Sequence, residues 1–268
     1  MKKTFTLMRA RQRQRRGALA GFVAAASSAM LAGCDRLSGN TGFVTTLKSA
    51  QKLSHAAQKI VAPASAMAQE FTQADVAPTF RGNGTLNPGD ADYQALRRDG
   101  FKDYELMVTG LVRHSASYTL AQLRAMPSRT QITRHDCVEG WSVIGKWKGV
   151  QLGRILDQVE PLPEAKYVVF RCFDSMDGPT LDGHDSHYYE SIDLDEARHV
   201  QTILAYELND QALPVANGAP IRCRVERQLG YKQAKYVRAI ELVASFADIR
   251  GGKGGYWEDE GYEWYGGI

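Results

Sequence analysis

Cysteine is scarce: the chain has four, and no two form a Cys-x-x-Cys pair or a Cys-x-x-Cys-His run. That excludes zinc ribbons, thioredoxin-type dithiols and covalently attached haem. Long, strongly apolar runs are missing too. The uncharged stretch from Gly17 to Gly33 is rich in alanine and glycine, too weakly apolar to lodge as a spanning helix. No acid precedes Asp35, whereas Lys2, Lys3, Arg9, Arg11, Arg13, Arg15 and Arg16 all do. The formal charge of +3 therefore belongs to these first residues, and the remainder from residue 34 carries about −4. This removes any argument for nucleic-acid binding, which needs a basic face on the folded part. What is present, 44% hydrophobic and 24% charged residues over 268 positions, suits one large globular domain or two small ones.

A basic segment followed by an uncharged one has the layout of an export signal. Arg15-Arg16 followed by Leu19 resembles the twin-arginine form, with Gln14 and Ala18 where that pattern prefers a hydroxyl residue and Phe. The segment closes on Leu31-Ala32-Gly33-Cys34, which resembles a bacterial lipobox. The signal is therefore expected to span residues 1–33, with Cys34 lipidated and holding the chain to the periplasmic side of a bacterial membrane. Residues 34–80, rich in Ala, Ser, Thr and Gln, read as a tether with a modest helix from Leu47 to Val61.

The turn-forming run Arg81 to Asp90 opens the main domain, expected over residues 81–250. Tyr104 to Thr109 alternates as a strand, and Thr119-x-x-Gln122 has the spacing of a capping box before a short helix. Thr130 to His135 reads as a strand delivering Cys137. An amphipathic helix follows with Leu152, Ile155, Leu156 and Val159 on one face. Tyr167 to Phe173, Thr202 to Leu208, Ile221 to Val225 and Tyr236 to Ser245 read as further strands, and Asp193 as a helix cap. Strands with interspersed short helices, in no regular alternation, give an α+β domain of mixed β-sheets. Residues 251–268 form a tail rich in glycine, aromatics and acids, suited to packing across the domain or to docking a partner.

An odd number of cysteines remains after Cys34, so at least one thiol is left unpaired or occupied. Cys172 and Cys223 fall inside apolar strands and read as packing residues. Cys137 sits at a strand end in Arg134-His135-Asp136-Cys137-Val138-Glu139-Gly140-Trp141, where a loop on a rigid scaffold presents a functional group. Arg134 and a protonated His135 would favour its thiolate, and Asp136 and Glu139 oppose it. The stretch by itself leaves nucleophile and metal ligand both open. His184 with His187 is a weak metal-binding spacing. Downstream, Arg222, Arg224, Arg227, Lys232, Lys235 and Arg238 gather around Gly230-Tyr231, preceded by the turn Asn217-Gly218-Ala219-Pro220. Cations and backbone donors converging from two loops suit a phosphate or pyrophosphate, hence an anionic cofactor.

Four ordered blocks carry a resemblance: Arg134 to Ser142, Trp147-x-Gly149-Val150-x-Leu152, Tyr188-Tyr189-Glu190-Ser191-Ile192, and Asn217 to Arg222 with Gly230 to Lys235. From about Arg81 to Ile249 the chain resembles the molybdopterin-binding domain of the sulfite oxidase family, closest to its bacterial exported members of the methionine-sulfoxide-reductase group. The resemblance implies a molybdenum-molybdopterin cofactor with Cys137 as the protein ligand to the metal, a soft thiolate suited to a redox-cycling centre. It implies that Asn217, Arg222, Gln233, Ala234 and Lys235 contact the pterin and its phosphate, that Asn83 helps from the entry loop, and that Tyr188 stands over the open side of the metal as the second catalytic residue. Cys172 falls where that group has a cofactor-contacting Thr.

Glu139, Gly140 and Trp141 stand where sulfite oxidases carry sulfite-holding arginines. The chain also leaves no room for their dimerisation domain and has no haem domain, which implies a monomer and an external electron-transfer partner, a cytochrome or a membrane protein. The expected activity is two-electron oxygen-atom transfer on a small S- or N-oxide or sulfur compound. Its rival is a lipoprotein that keeps the fold as a non-catalytic binding or assembly module.

Overall fold

The computed structural model describes residues 40–43, 46, 65–176 and 186–268. The export signal, Cys34, the expected Leu47–Val61 helix and His184 lie outside the described residues. Of the first unit, Met1–Pro63, residues 41–43 and 46 are described, and they are helical. The second unit runs from Ala64 to Ile268. Among the described residues no helix is long and apolar enough to cross a membrane.

Two five-stranded sheets make up the second unit. The first has the order β2-β1-β10-β5-β6, built from β1 (Glu105–Gly110), β2 (Ala116–Thr119), β5 (Tyr167–Ser175), β6 (His187–Asp193) and β10 (Val237–Val243). Its one parallel pair joins β1 to β10, with Val108 opposite Ile240. The second sheet has the order β3-β4-β7-β8, with β3 (Ser128–Asp136), β4 (Ser142–Gln151), β7 (Ile203–Leu208) and β8 (Gln211–Ala212); β9 (Arg222–Arg224) pairs with β7. Helices α1 (Ala91–Arg98), α2 (Leu120–Ala125), α3 (Leu152–Val159), α4 (Leu194–Arg198) and α5 (Tyr256–Asp259) are short. The expected α+β class with mixed sheets is the class observed.

Local chemistry explains the boundaries. Thr119 caps α2, its side chain accepting from the Gln122 amide at 3.2 Å, and Asp193 caps α4 by accepting from the Glu196 amide at 2.8 Å. Helix α3 buries Leu152, Ile155, Leu156 and Val159, the face its spacing dictates, in the main core with Val168, Phe170, Ile240 and Leu242. A smaller core holds Phe80, Trp147, Ile203, Ala205, Leu208 and Leu213.

Three features differ from expectation. Strand β4 is hidden in the sequence because two of its inward positions are Gly145 and Gly149, between outward Lys146 and Lys148. A Cβ at Gly149 would clash with the Leu204 carbonyl, so glycine lets β4 and β7 approach. Helix α1, for which no element is expected, gives little apolar signal because its sequence, rich in charged and polar residues, buries only Tyr93; Asp90 caps it at 2.8 Å from the Tyr93 amide. The tether expected up to residue 80 belongs from Ala64 onward to the compact unit. There Phe71 N–H donates to the Ile132 carbonyl at 2.8 Å, and Phe80 packs edge-on against Trp147 with ring centres 4.9 Å apart.

Candidate active site

Strand β3 ends at Asp136, and a tight turn carries Cys137: its N–H donates to the Trp141 carbonyl at 3.0 Å, and Gly140 N–H returns to the Cys137 carbonyl at 3.0 Å. Gly140 adopts a φ of 84°, the left-handed region open to glycine. The Cys137 side chain, in a residue 8% exposed, reaches the floor of a cleft with about 750 Å³ of empty space including its open mouth. Val138 and Glu139 continue that wall; Asn83, Gly84 and Thr85 of the entry loop face it; Arg222, Gln233, Lys235 and Asp174 form the deeper polar side. Tyr188, Tyr231, Trp257 and Tyr262 supply an aromatic wall.

The cations expected to activate Cys137 do not act on it. Arg134 pairs with Asp136 at 2.8 Å. His135 alternates to the opposite face of β3, fully buried, where its Nδ1 accepts from Arg224 at 3.0 Å. Burial, followed by Arg224 and Arg222, holds that imidazole well below its usual value, so it stays neutral. Burial pushes the Cys137 thiol above its ordinary value, with the Glu139 backbone amide opposing. A protonated thiol is a poor nucleophile, whereas a soft metal displaces the proton on binding. The geometry thus favours ligand over nucleophile. One side-chain amide, Asn83 Nδ2, donates to Sγ at 3.9 Å.

Only two of the six clustered cations, Arg222 and Lys235, line the cleft. Arg224 is paired with Glu226 at 2.6 Å, Arg227 with Glu196 at 2.8 Å, and Lys232 with Glu190 and Glu258. Arg222 donates to the carbonyls of Asn217 at 3.1 Å and Gln233 at 3.2 Å, and its buried Nε has no partner. Burial, and then Arg224, pull Arg222 down to about 9. Lys235 donates to the Asn83 carbonyl at 2.6 Å and to that of Thr85; burial, then Arg222, lower it to about 8. Asp174, missed in the sequence, is buried with Oδ1 unpartnered and is raised by burial to about 6, Lys235 opposing. Buried cations shifted this way, one of them with a buried unpartnered donor, form a set suited to an anion.

Of the residues expected at the site, Cys137, Tyr188, Asn83, Arg222, Gln233 and Lys235 share the cleft, and Cys172, Asn217 and Ala234 do not line it. Cys172 is fully buried in β5, among Leu106, Ile240 and other core residues, so its side chain is packing and offers no polar contact. Asn217 and Ala234 stand behind the wall; their backbone carbonyls accept from Arg222 and from Cys223 N–H. Trp257 and Tyr262 come from the tail, where composition showed aromatics and not their destination. Cys137, Cys172 and Cys223 are all free thiols, and His187 bonds Asp90 at 3.3 Å. Among the described residues no cluster of three or more His, Cys, Asp or Glu could hold a metal alone, so a metal here needs ligands from elsewhere.

A chain of Azospira oryzae named as protein-methionine-sulfoxide reductase subunit YedZ1 is 43% identical over 164 residues, covering 61% of this chain and 56% of its own. The protein-methionine-sulfoxide reductase catalytic subunit MsrP of Ralstonia nicotianae is 34% identical over 191 residues, covering 68% of this chain and 56% of its own. The chain thus spans a little over half the length of each relative. Among solved structures, the sulfane dehydrogenase SoxCD of Paracoccus pantotrophus aligns at 21% identity with a TM-score of 0.48, over 56% of this chain and 40% of that one. The model of the oxidoreductase molybdopterin binding domain matches residues 93–248, more than half of the chain, and the protein belongs to that family.

Proposed function

We propose that this chain is a molybdenum-cofactor-dependent oxidoreductase acting on a sulfoxide. The observation that carries the reading is the pairing, in one cleft, of a buried soft thiol at Cys137 with two anion-seeking cations, Arg222 and Lys235. The unpartnered Arg222 Nε fits the same group, since a pterin phosphate would give it an acceptor. Cys137 Sγ ligates the metal, Arg222 and Lys235 hold the phosphate, and Gln233 shapes the pterin side. The cofactor, when bound, supplies the two-electron change that accompanies oxygen-atom transfer.

This chain's own residues bind and orient. Lys235 ties the entry loop down through the Asn83 and Thr85 carbonyls, which keeps the Asn83 amide beside Sγ. Tyr188 O–H donates to the Tyr231 carbonyl at 2.5 Å, and burial holds its phenol far above the usual value. It therefore stays protonated with its one proton given to that carbonyl, so it faces the cleft as a neutral phenol whose oxygen can accept and position substrate; it is no phenolate base. Glu139 is exposed at the mouth and accepts from Trp141 Nε1 at 2.8 Å, a carboxylate in reach of solvent protons.

The relatives' names point to methionine sulfoxide and to the reductive direction. In that direction the sulfoxide takes up two electrons and two protons and leaves as thioether and water, so an external electron carrier, a cytochrome or a membrane protein, is required. Twin-arginine export, lipidation at Cys34 and residence on the periplasmic face as a monomer complete the proposal, with the leader at 1–33. Metal analysis and pterin detection on the purified full chain test it first. Oxidation of a reduced dye by methionine sulfoxide, set against reduction of an artificial acceptor by sulfite, then fixes the direction. Protein from cofactor-competent cells without stoichiometric molybdenum would leave the non-catalytic binding module in its place.

A further inference from the structure

Behind the aromatic wall lies a charged cluster that the reaction above does not use. Lys232, Glu190 and Glu258 are all fully buried. They come from three places in the chain: the 3-10 turn Gly230–Lys232, strand β6 and helix α5. Lys232 Nζ donates to Glu190 Oε1 and, at 2.5 Å, to Glu258 Oε1. One ammonium faces two carboxyl groups, so ionising both acids would leave a net negative charge in the interior. The far oxygens, Glu190 Oε2 and Glu258 Oε2, are buried with no donor, and Glu258 Oε2 and Glu190 Oε1 crowd the same point beside Gly255. Two ionised carboxylates so placed would repel each other and leave their far oxygens unsatisfied, whereas one shared proton makes one of them a donor to the other.

The cluster sits where the tail joins the domain. Glu190 bridges to Gly255, Trp264 Nε1 donates to Ser191 Oγ at 2.9 Å, and Tyr231 O–H donates to the Glu263 carbonyl at 2.6 Å. Glu258 directly follows Trp257, which stacks on Tyr262 with ring centres 5.3 Å apart; both rings line the cleft. We propose that Glu190 and Glu258 share one proton, and that the resulting neutral cluster with Lys232 latches the segment 255–264 to the domain, positioning Trp257 and Tyr262 in the cleft wall. The latch is independent of the proposed reaction, because it holds in the cofactor-free protein.

Burial first, with Glu258 adding and Lys232 opposing, raises the Glu190 carboxyl well above its usual value. The other titratable groups facing it are Tyr188 and Tyr189 on β6, Tyr231 on the turn, Cys172 on β5 and Cys223 on β9. Burial raises every one of these, which keeps them protonated and leaves Glu190 as the group in the cluster that titrates. The docked segment keeps a proton that a released glutamate gives up. Docking is therefore strongest below the ordinary glutamate value and is lost as pH rises toward the raised one, the opening constant growing about tenfold per pH unit across that window.

Hydrogen exchange at residues 256–262 of the full chain, corrected for the intrinsic effect of pH, tests this against Glu258→Gln and Glu190→Gln. The native protein shows the tenfold-per-unit slope. Each variant keeps an amide donor and a single carboxylate for Lys232, and so stays protected with no slope. Infrared spectra recorded above the Asp174 value of about 6 show the C=O stretch of a buried carboxylic acid in the native protein and lose it in both variants. A native protein without the slope or without the acid band overturns the proposal, and so does a variant that keeps the native slope. Should either variant fail to fold, the two native measurements still decide. None of these readouts depends on pterin content, so failure here is distinct from failure of the proposed function.

Discussion

Replacing Arg222 by Met should stabilise the cofactor-free protein while abolishing its capacity to hold the cofactor. Arg222 is 2% exposed, its partners are two neutral carbonyls, and Arg224 stands beside it in β9. Those surroundings lower its guanidinium from 12.5 to about 9. At about 1.4 kcal/mol per tenfold, the charged form bears a penalty on the order of 5 kcal/mol at neutral pH. The Met variant removes that penalty and gives up two hydrogen bonds, leaving two acceptors unsatisfied at roughly 1–3 kcal/mol each, about 4 kcal/mol together. The balance favours the variant by about 1 kcal/mol, as a side chain kept for binding and not for stability should. The pH dependence carries the same sign. A cation depressed by folding weighs against the native protein below about 9 and is relieved as pH rises toward 12.5, so the difference between the two proteins shrinks on the alkaline side. Urea denaturation of both proteins, prepared without cofactor, measures the difference; pterin release from both, prepared with it, measures retention. A cofactor-free variant less stable than native, or one that retains full pterin, would refute the reasoning.

Cys137→Ser should lose stoichiometric molybdenum and all turnover while its urea midpoint stays near native, because the thiol's one side-chain partner is a 3.9 Å contact from Asn83; retained metal and activity would remove the ligand assignment. Asp174→Asn should flatten the acid side of the stability curve. The native carboxyl, raised to about 6, binds a proton that the unfolded chain releases near 3.8, so native stability falls as pH rises between the two, and thermal melts across that range read the change. Gly230→Ala sets a Cβ 2.6 Å from Cε1 and Nε2 of the buried His135 ring, which Phe80 and Arg224 pin in place; the expected loss is about 1–3 kcal/mol by denaturation. Arg15→Lys with Arg16→Lys should strand the precursor in the cytoplasm on cell fractionation, and unimpaired delivery would mean export by the general secretory route.

The elements most legible in the sequence are those whose burial follows a period. Helix α3 was readable from four apolar residues at helical spacing, and α2 and α4 from their caps. Strand β4 was not, because glycines occupy positions where an apolar side chain would have marked the inner face. The site was legible where a short motif placed a residue directly, as at Cys137. It was misleading where charge was counted along the chain: six cations from Arg222 to Arg238 looked like one patch, yet Arg224 is neutralised by Glu226 two residues on, and Arg227 and Lys232 by Glu196 and Glu190 from other elements. His135 misled for a different reason: β3 ends at Asp136 and Cys137 leaves on the turn, while His135 stays in the strand, fully buried beside Arg224 and Gln233.

The cleft is assembled from strand ends and loops, so periodicity does not group its polar members: the family resemblance named most of them, and Asp174 was missed. Cys137 leaves β3, Asp174 lies one residue before the end of β5, Tyr188 is the second residue of β6, Arg222 starts β9, and Lys235 precedes β10. Neighbours in the sheets fix where these ends fall: β9 on β7, and β10 between β1 and β5. Their partners lie on other elements, so the cluster exists only after both sheets have formed. The same assembly leaves Arg222 and Lys235 buried against each other's charge, with Asp174 as the nearby acid. Such an arrangement persists only if the surrounding sheets over-determine it. An anion that enters relieves it, so binding and folding draw on the same residues, and any loss of register in β9 or β10 must weaken both together.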